Sequence, residues 1–150
     1  MPWTYRHSTK EFRSFLEDAR DRMGLTSINH TYTAVEGVLI TFRRRLTVRE
    51  GLSFADTLPS SLRALFVARW NVSEPKAPFT DRAAMTREAQ ALRPNHNNTP
   101  ENAIEATAWA LRRHVRQDEF DRALAALPEG AEDFWRATVD DLRTLEQRII

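Results

Sequence analysis

Residues 34–66 read AVEGVLITFRRRLTVREGLSFADTLPSSLRALF, and residues 103–135 read AIEATAWALRRHVRQDEFDRALAALPEGAEDFW. The two stretches align without a gap at an offset of 69 residues. Ala34 falls on Ala103, Glu36 on Glu105, Arg43-Arg44 on Arg112-Arg113 and Glu50 on Glu119. Leu58-Pro59 falls on Leu127-Pro128, and Leu65-Phe66 on Phe134-Trp135. In the first stretch Ala34, Val35, Val38, Leu39, Phe42 and Leu46 recur at helical spacing, which predicts a long helix from about Thr31 to Leu46. Thr47 and Glu50 have the pattern of a capping box opening a short helix that stops before Pro59. Pro59 suits the first turn of another helix, bearing Leu62, Leu65 and Phe66. In the second stretch Thr99-Pro100 reads as a cap with proline at the first helical position. The helix beyond carries Ala103, Ile104, Ala108, Leu111 and Val115. A short helix with Phe120 and Leu124 ends at Pro128, and a last one holds Phe134 and Trp135, with Gly130 inside it. One such unit exposes an apolar face, and two packed together cover it. The expected fold is all-α, a compact helical bundle of two pseudo-symmetric repeats with about four helices each.

Outward from this pair, Ser8 and Glu11 resemble a capping box before Phe12, Phe15, Leu16, Ala19 and Met23, and Gly24 is a natural stop. Residues 71–79 hold two prolines and little periodicity and read as a linker. Thr80 is the expected cap of a helix with Met85, Ala89 and Leu92. The chain thus divides into a first repeat over about 8–70, the linker, a second repeat over about 80–137 and a helical tail over about 138–150, all within one domain. In the tail Leu142, Leu145 and Ile149 form an apolar stripe that a second subunit would cover, a possible route to a homo-oligomer.

The order of long helix, short helix, Leu-Pro and a helix with paired bulky residues resembles the prokaryotic domain-of-unknown-function family 2267. The likeness covers roughly Tyr5 to Ala137. It rests on Leu58-Pro59 with Leu62-Arg63-Ala64-Leu65-Phe66, and on Leu127-Pro128 with Phe134-Trp135. Gly130 and the added tail depart from the first copy. The resemblance implies an all-α domain of two helical halves and brings no established activity or catalytic residues.

Composition narrows the function. The 150 residues include 22 basic and 21 acidic ones, a formal net charge of +1, so a dedicated polyanion binder is disfavoured. Cysteine is absent, which removes disulfides, thiolate metal sites and cysteine catalysis. The N-terminus lacks the apolar core of a secretory signal, and Val38-Leu39-Ile40 is far too short to span a bilayer, so a cytoplasmic protein is expected. The sequons at Asn29, Asn71 and Asn97 then carry no meaning. Only Lys10 and Lys76 are lysines. Guanidinium recognition of phosphate or carboxylate is one reading of this bias, and the codon usage of a GC-rich genome the simpler one.

The sharpest candidate site lies on the long helices. Glu36, Ile40 and Arg43 share one stripe, and Glu105, Trp109 and Arg112 repeat it. Across a pseudo-twofold axis Glu36 would meet Arg112, and Glu105 would meet Arg43. The favoured reading is a structural seam of two crossed ion pairs, and the alternative is a charged pocket for a small anion. Arg43, Arg44 and Arg45, and Arg112 and Arg113 with His114 and Arg116, sit at helix C-termini, where cations complement the dipole. On one side of the molecule they would form a basic platform, although no aromatic interleaving or nucleic-acid motif accompanies them. The histidines, at 7, 30, 96 and 114, show no metal-ligand spacing, and the glycines form no phosphate loop. Trp135 is expected in the core. Trp70 is expected beside the linker, and Trp3 and Tyr5 could form a docking arm. These features point to a non-enzymatic cytoplasmic interaction or regulatory module with a protein partner and no cofactor, metal or membrane. Small-anion binding at the Glu/Arg seam is the alternative, and nucleic-acid association the weaker one.

Overall fold

The apolar stripe that begins at Ala34 lies on a helix as far as Phe42, and the other periodic segments follow it. The computed structural model describes residues 1–93 and 99–138. In chain order the helices are α1 (Trp3–Arg6), α2 (Ser8–Met23), α3 (Ile28–Arg43), α4 (Val48–Ala55), α5 (Ser60–Val67), α6 (Arg82–Ala91), α7 (Ala103–Arg112), α8 (Gln117–Ala125) and α9 (Ala131–Phe134). Among the described residues no strand occurs, so the fold is all-α. The tail stripe of Leu142, Leu145 and Ile149 lies outside the described residues, as do His96 and Asn97.

Local chemistry explains most boundaries. Gly24 ends α2 at φ 75°, and the Leu25 amide returns to the Arg20 carbonyl. The Ser27 hydroxyl accepts from the His30 amide and starts α3. Thr47 and Glu50 form both halves of the expected capping box on α4. Five expectations need correction. The helix expected from about Thr31 to Leu46 spans Ile28–Arg43, because Ser27 caps it earlier and the amides of Arg45 and Leu46 turn back to the Phe42 and Arg43 carbonyls. Ser8 and Glu11 form no box: α1 runs directly into α2, the Ser8 hydroxyl donates to the Tyr5 carbonyl, and Glu11 is buried. Asp81, one residue past Thr80, caps α6 by accepting from the Ala84 amide. Helix α7 starts at Ala103 rather than Pro100: a turn precedes it, with the Ala103 amide on the Pro100 carbonyl, and the Asn102 side-chain amide donates to the Arg22 carbonyl near the end of α2. Gly130 precedes α9, at φ 105°, instead of lying inside it.

Helix α2 lies along α7, and α3 lies along α6, so the opening helix of each expected half packs on the long helix of the other. Residues 34–67 and 103–134 run through the same order of helix, short helix, proline turn and helix. The last helix has eight residues in the first stretch and four in the second. Six aromatic rings, of Phe42, Phe54, Phe66, Phe120, Phe134 and Trp135, meet where α3, α4, α5, α8 and α9 converge. Trp135 is fully buried, 5.3 Å from Phe42 and 5.5 Å from Phe54 between ring centres. Burying one such side chain stabilises a fold by about 1.5–3 kcal/mol. Residues 71–80 hold no regular element, but they are tied down. The Ala77 amide donates to the Arg44 carbonyl, and Phe79 packs on Phe42. No described helix is long and apolar enough to cross a membrane.

Candidate functional site

Each carboxylate and arginine of the two stripes finds a partner, but not the expected one. Arg43 is buried, and its Nη1 donates to the carbonyls of Phe66, at 2.9 Å, and Ala68, at 3.0 Å. Its guanidinium lies 5.4 Å from the centre of the Trp70 ring. Burial pushes the Arg43 pKa down, and the nearby Glu74 charge opposes this. Arg112 donates from Nε to the carbonyl of Trp135 at 2.9 Å, and from Nη1 to Gln117 and Asp121. Arg43 and Arg112 are 69 residues apart, and so are their acceptors Phe66 and Trp135. Both arginines therefore close the helix that follows the Leu-Pro turn, whose last carbonyls would otherwise lack donors. At α9 Arg82 shares this task, donating to the carbonyls of Asp133 and Phe134.

Neither crossed pair, Glu36 with Arg112 or Glu105 with Arg43, forms. The arginines are committed to carbonyls, and other arginines reach the carboxylates from the packed helices. Arg93, just beyond α6, places Nη2 3.2 Å from Glu36 Oε1, and Arg69 places Nη2 3.6 Å from Oε2. Arg22 of α2 holds Glu105 at 2.8 and 3.2 Å and also donates to the Thr138 carbonyl. Trp109 lies under two guanidinium groups, of Arg22 at 5.0 Å and Arg113 at 4.9 Å. Glu36 and Ile40 line a cleft of about 240 Å³ between α3 and α6, and Glu105 borders one of about 500 Å³ between α6 and α7.

A family model described as "Uncharacterized conserved protein (DUF2267)" matches residues 12–134. The chain belongs to the DUF2267 family. That description carries no activity, and no curated protein matches the chain. The matched part of this DUF2267 domain contains both carboxylates and all the arginines that pair with them.

Four arginines of the expected basic platform have carboxylate partners. Arg44 pairs with Glu74 at 3.3 Å, Arg113 with Asp18 at 3.6 Å and exposed Arg116 with Glu119 at 4.0 Å. Arg45 is buried, bonding the Thr41 carbonyl and the Glu88 carboxylate, both at 2.7 Å. His114, read from sequence as part of a basic cluster, is buried with Nε2 2.9 Å from Asp18 Oδ2. Among the described residues no group of three or more His, Asp or Glu could hold a metal ion. The DUF2267 domain thus uses Asp18, Arg22, Arg69 and Arg93 in ways that periodicity does not reveal. Arg22 and Arg93 close the helices α2 and α6, and their reach to the other half depends on how those helices pack.

Glu11, on the α2 face toward His114, has a pKa raised by burial, with His114 and His7 opposing. A carboxyl raised in the folded state binds its proton more tightly there than in the unfolded chain. Stability from this group is full below the unfolded pKa and is lost as pH rises through the folded one. Glu11→Gln is therefore expected to raise the melting temperature at pH 7. The gain should shrink toward zero below pH 4, as followed by circular dichroism across pH.

Proposed function

We propose that this domain is a non-enzymatic cytoplasmic interaction or regulatory module, built from two pseudo-symmetric repeats, that docks a partner protein on α4. The observation that carries the reading is an exposed apolar face. Val48 and Leu52 flank Gly51 along α4, and the Trp70 ring covers Gly51 so closely that a Cβ there would meet it at 2.2 Å. Leu52 is 52% exposed, and Val72, two residues past Trp70, is 62% exposed. Apolar side chains grouped in this way gain about 25 cal/mol for each Å² that a partner covers. The matching contacts of Arg43 and Arg112 support a repeated unit. Carboxylate partners at Arg44, Arg45, Arg113 and Arg116 leave nucleic-acid association with little support.

Leu52→Glu with Val72→Asp tests the docking face. Both positions are exposed, so stability is expected to change by less than about 0.5 kcal/mol per substitution. Wild-type and variant chains, immobilised and exposed to extract of the native host, are compared by quantitative mass spectrometry. At least one protein retained by the wild type should be lost from the variant. Identical profiles would sink the reading.

A further inference from the structure

We propose that the cleft between α3 and α6 binds a small organic monocarboxylate between the guanidinium groups of Arg69 and Arg93. At about 240 Å³ it is smaller than typical drug-sized sites of roughly 300–1,000 Å³, which suits a short acid. At Gly37, which lines it, the two helices approach so closely that a Cβ would stand 3.2 Å from the Ala89 carbonyl oxygen. Ile40, Ala89 and Leu92 supply apolar wall for an aliphatic body.

The charged end is organised around Glu36. Its side chain is only 9% exposed, whereas those of Arg69 and Arg93 are 81% and 54% exposed. The buried carboxylate anchors both guanidinium groups, one on each oxygen. Each arginine commits one nitrogen to Glu36 and keeps further N–H donors in the fork geometry that matches a carboxylate. Arg69 and Arg93 carry more positive charge than Glu36 offsets, and buried Arg43, close enough to feel both Glu36 and Arg69, adds to that excess. The small volume and the apolar wall favour a short monocarboxylate over an inorganic anion.

The backbone supplies a second, independent observation. Arg69 has φ 52°, the one positive φ at a non-glycine position among the described residues. A long side chain in the left-handed region is strained, and such strain persists where the surroundings enforce it. Here Arg43 enforces it, gripping the carbonyls of Phe66 and Ala68 just before the strained residue. The clamp thereby holds the Arg69 guanidinium at the mouth of the cleft, beside Glu36.

The test is a titration of the full ¹⁵N-labelled chain with sodium butyrate at constant ionic strength, followed by amide chemical shifts. Butyramide and sodium phosphate serve as comparison probes. Arg69→Gly removes the guanidinium and suits the left-handed backbone, so that variant folds. Arg93→Gln removes the other donor, and Arg49→Gln on the exposed side of α4 is the control. Butyrate is expected to give saturable shifts at Gly37, Ile40, Ala89 and Leu92, and butyramide none. Arg69→Gly and Arg93→Gln should each weaken binding about tenfold or more, equivalent to about 1.4 kcal/mol, and Arg49→Gln should leave it unchanged. No saturable shift with butyrate would overturn the proposal, and so would binding undiminished in both cleft variants. Phosphate binding there more tightly than butyrate would overturn the assignment to monocarboxylates.

Discussion

Arg43→Met is expected to destabilise the domain by about 3–6 kcal/mol, because two buried carbonyls lose a charged donor. The Arg43 guanidinium donates to two carbonyls at the end of α5 and lies against Trp70. Hydrogen bonds from a charged donor contribute about 1.5–3 kcal/mol each, and methionine fills the space without replacing either. The carbonyls of Phe66 and Ala68 then lose their partner at a turn already strained at Arg69. Arg112→Met is expected to cost less, about 1.5–3 kcal/mol, because Arg112 makes a single contact to backbone at the end of α9 and Arg82 serves that end as well. Urea unfolding monitored by tryptophan fluorescence distinguishes the two. Equal losses would show that Arg43 is not the clamp described. The amide of Arg69 should also shift most in the Arg43 variant if the clamp sets that turn.

Gly130→Ala should lose about 2–4 kcal/mol, combining a left-handed backbone penalty of about 1–2 kcal/mol with overpacking. Gly130 has φ 105° and ψ −20° before α9, and a Cβ there would come within 2.7 Å of Phe79 Cβ and Cγ. Phe79 itself packs on Phe42 in the aromatic core, so it has little freedom to retreat. Gly24→Ala separates the two contributions. Gly24 is also left-handed, at φ 75°, but nothing lies within 4 Å of an added Cβ. It should lose only the backbone part, about 1–2 kcal/mol. Thermal melts of both variants measure the difference, and similar losses would mean that Phe79 does not resist the methyl group.

Two of the corrections share a cause. Ser8 and Glu11 satisfy the spacing of a capping box, yet Glu11 is drawn into the interior beside His114, and α1 already supplies the carbonyls that α2 needs. Pro100 suits a helix start, yet Asn102 is committed to the Arg22 carbonyl, and α7 begins after it. In each case a contact from a distant helix outweighs a local preference of about 1 kcal/mol. The site follows the same logic. The stripe of Glu36 and Ile40 was visible as spacing and does line a cleft. The arginines that complete it, Arg69 and Arg93, come from the ends of α5 and α6 and share no period with Glu36.

Apolar spacing, the Thr47–Glu50 box, Gly24 and Pro59 act within a few residues, so the order of the helices and some of their ends could be read directly from the chain. Which guanidinium answers which carboxylate could not. The side chains of Arg22, Arg43, Arg93 and Arg112 are long enough to reach several acceptors. Only the placement of α2 on α7 and α3 on α6 selects among them, because a charge taken out of water settles on the nearest group that satisfies it.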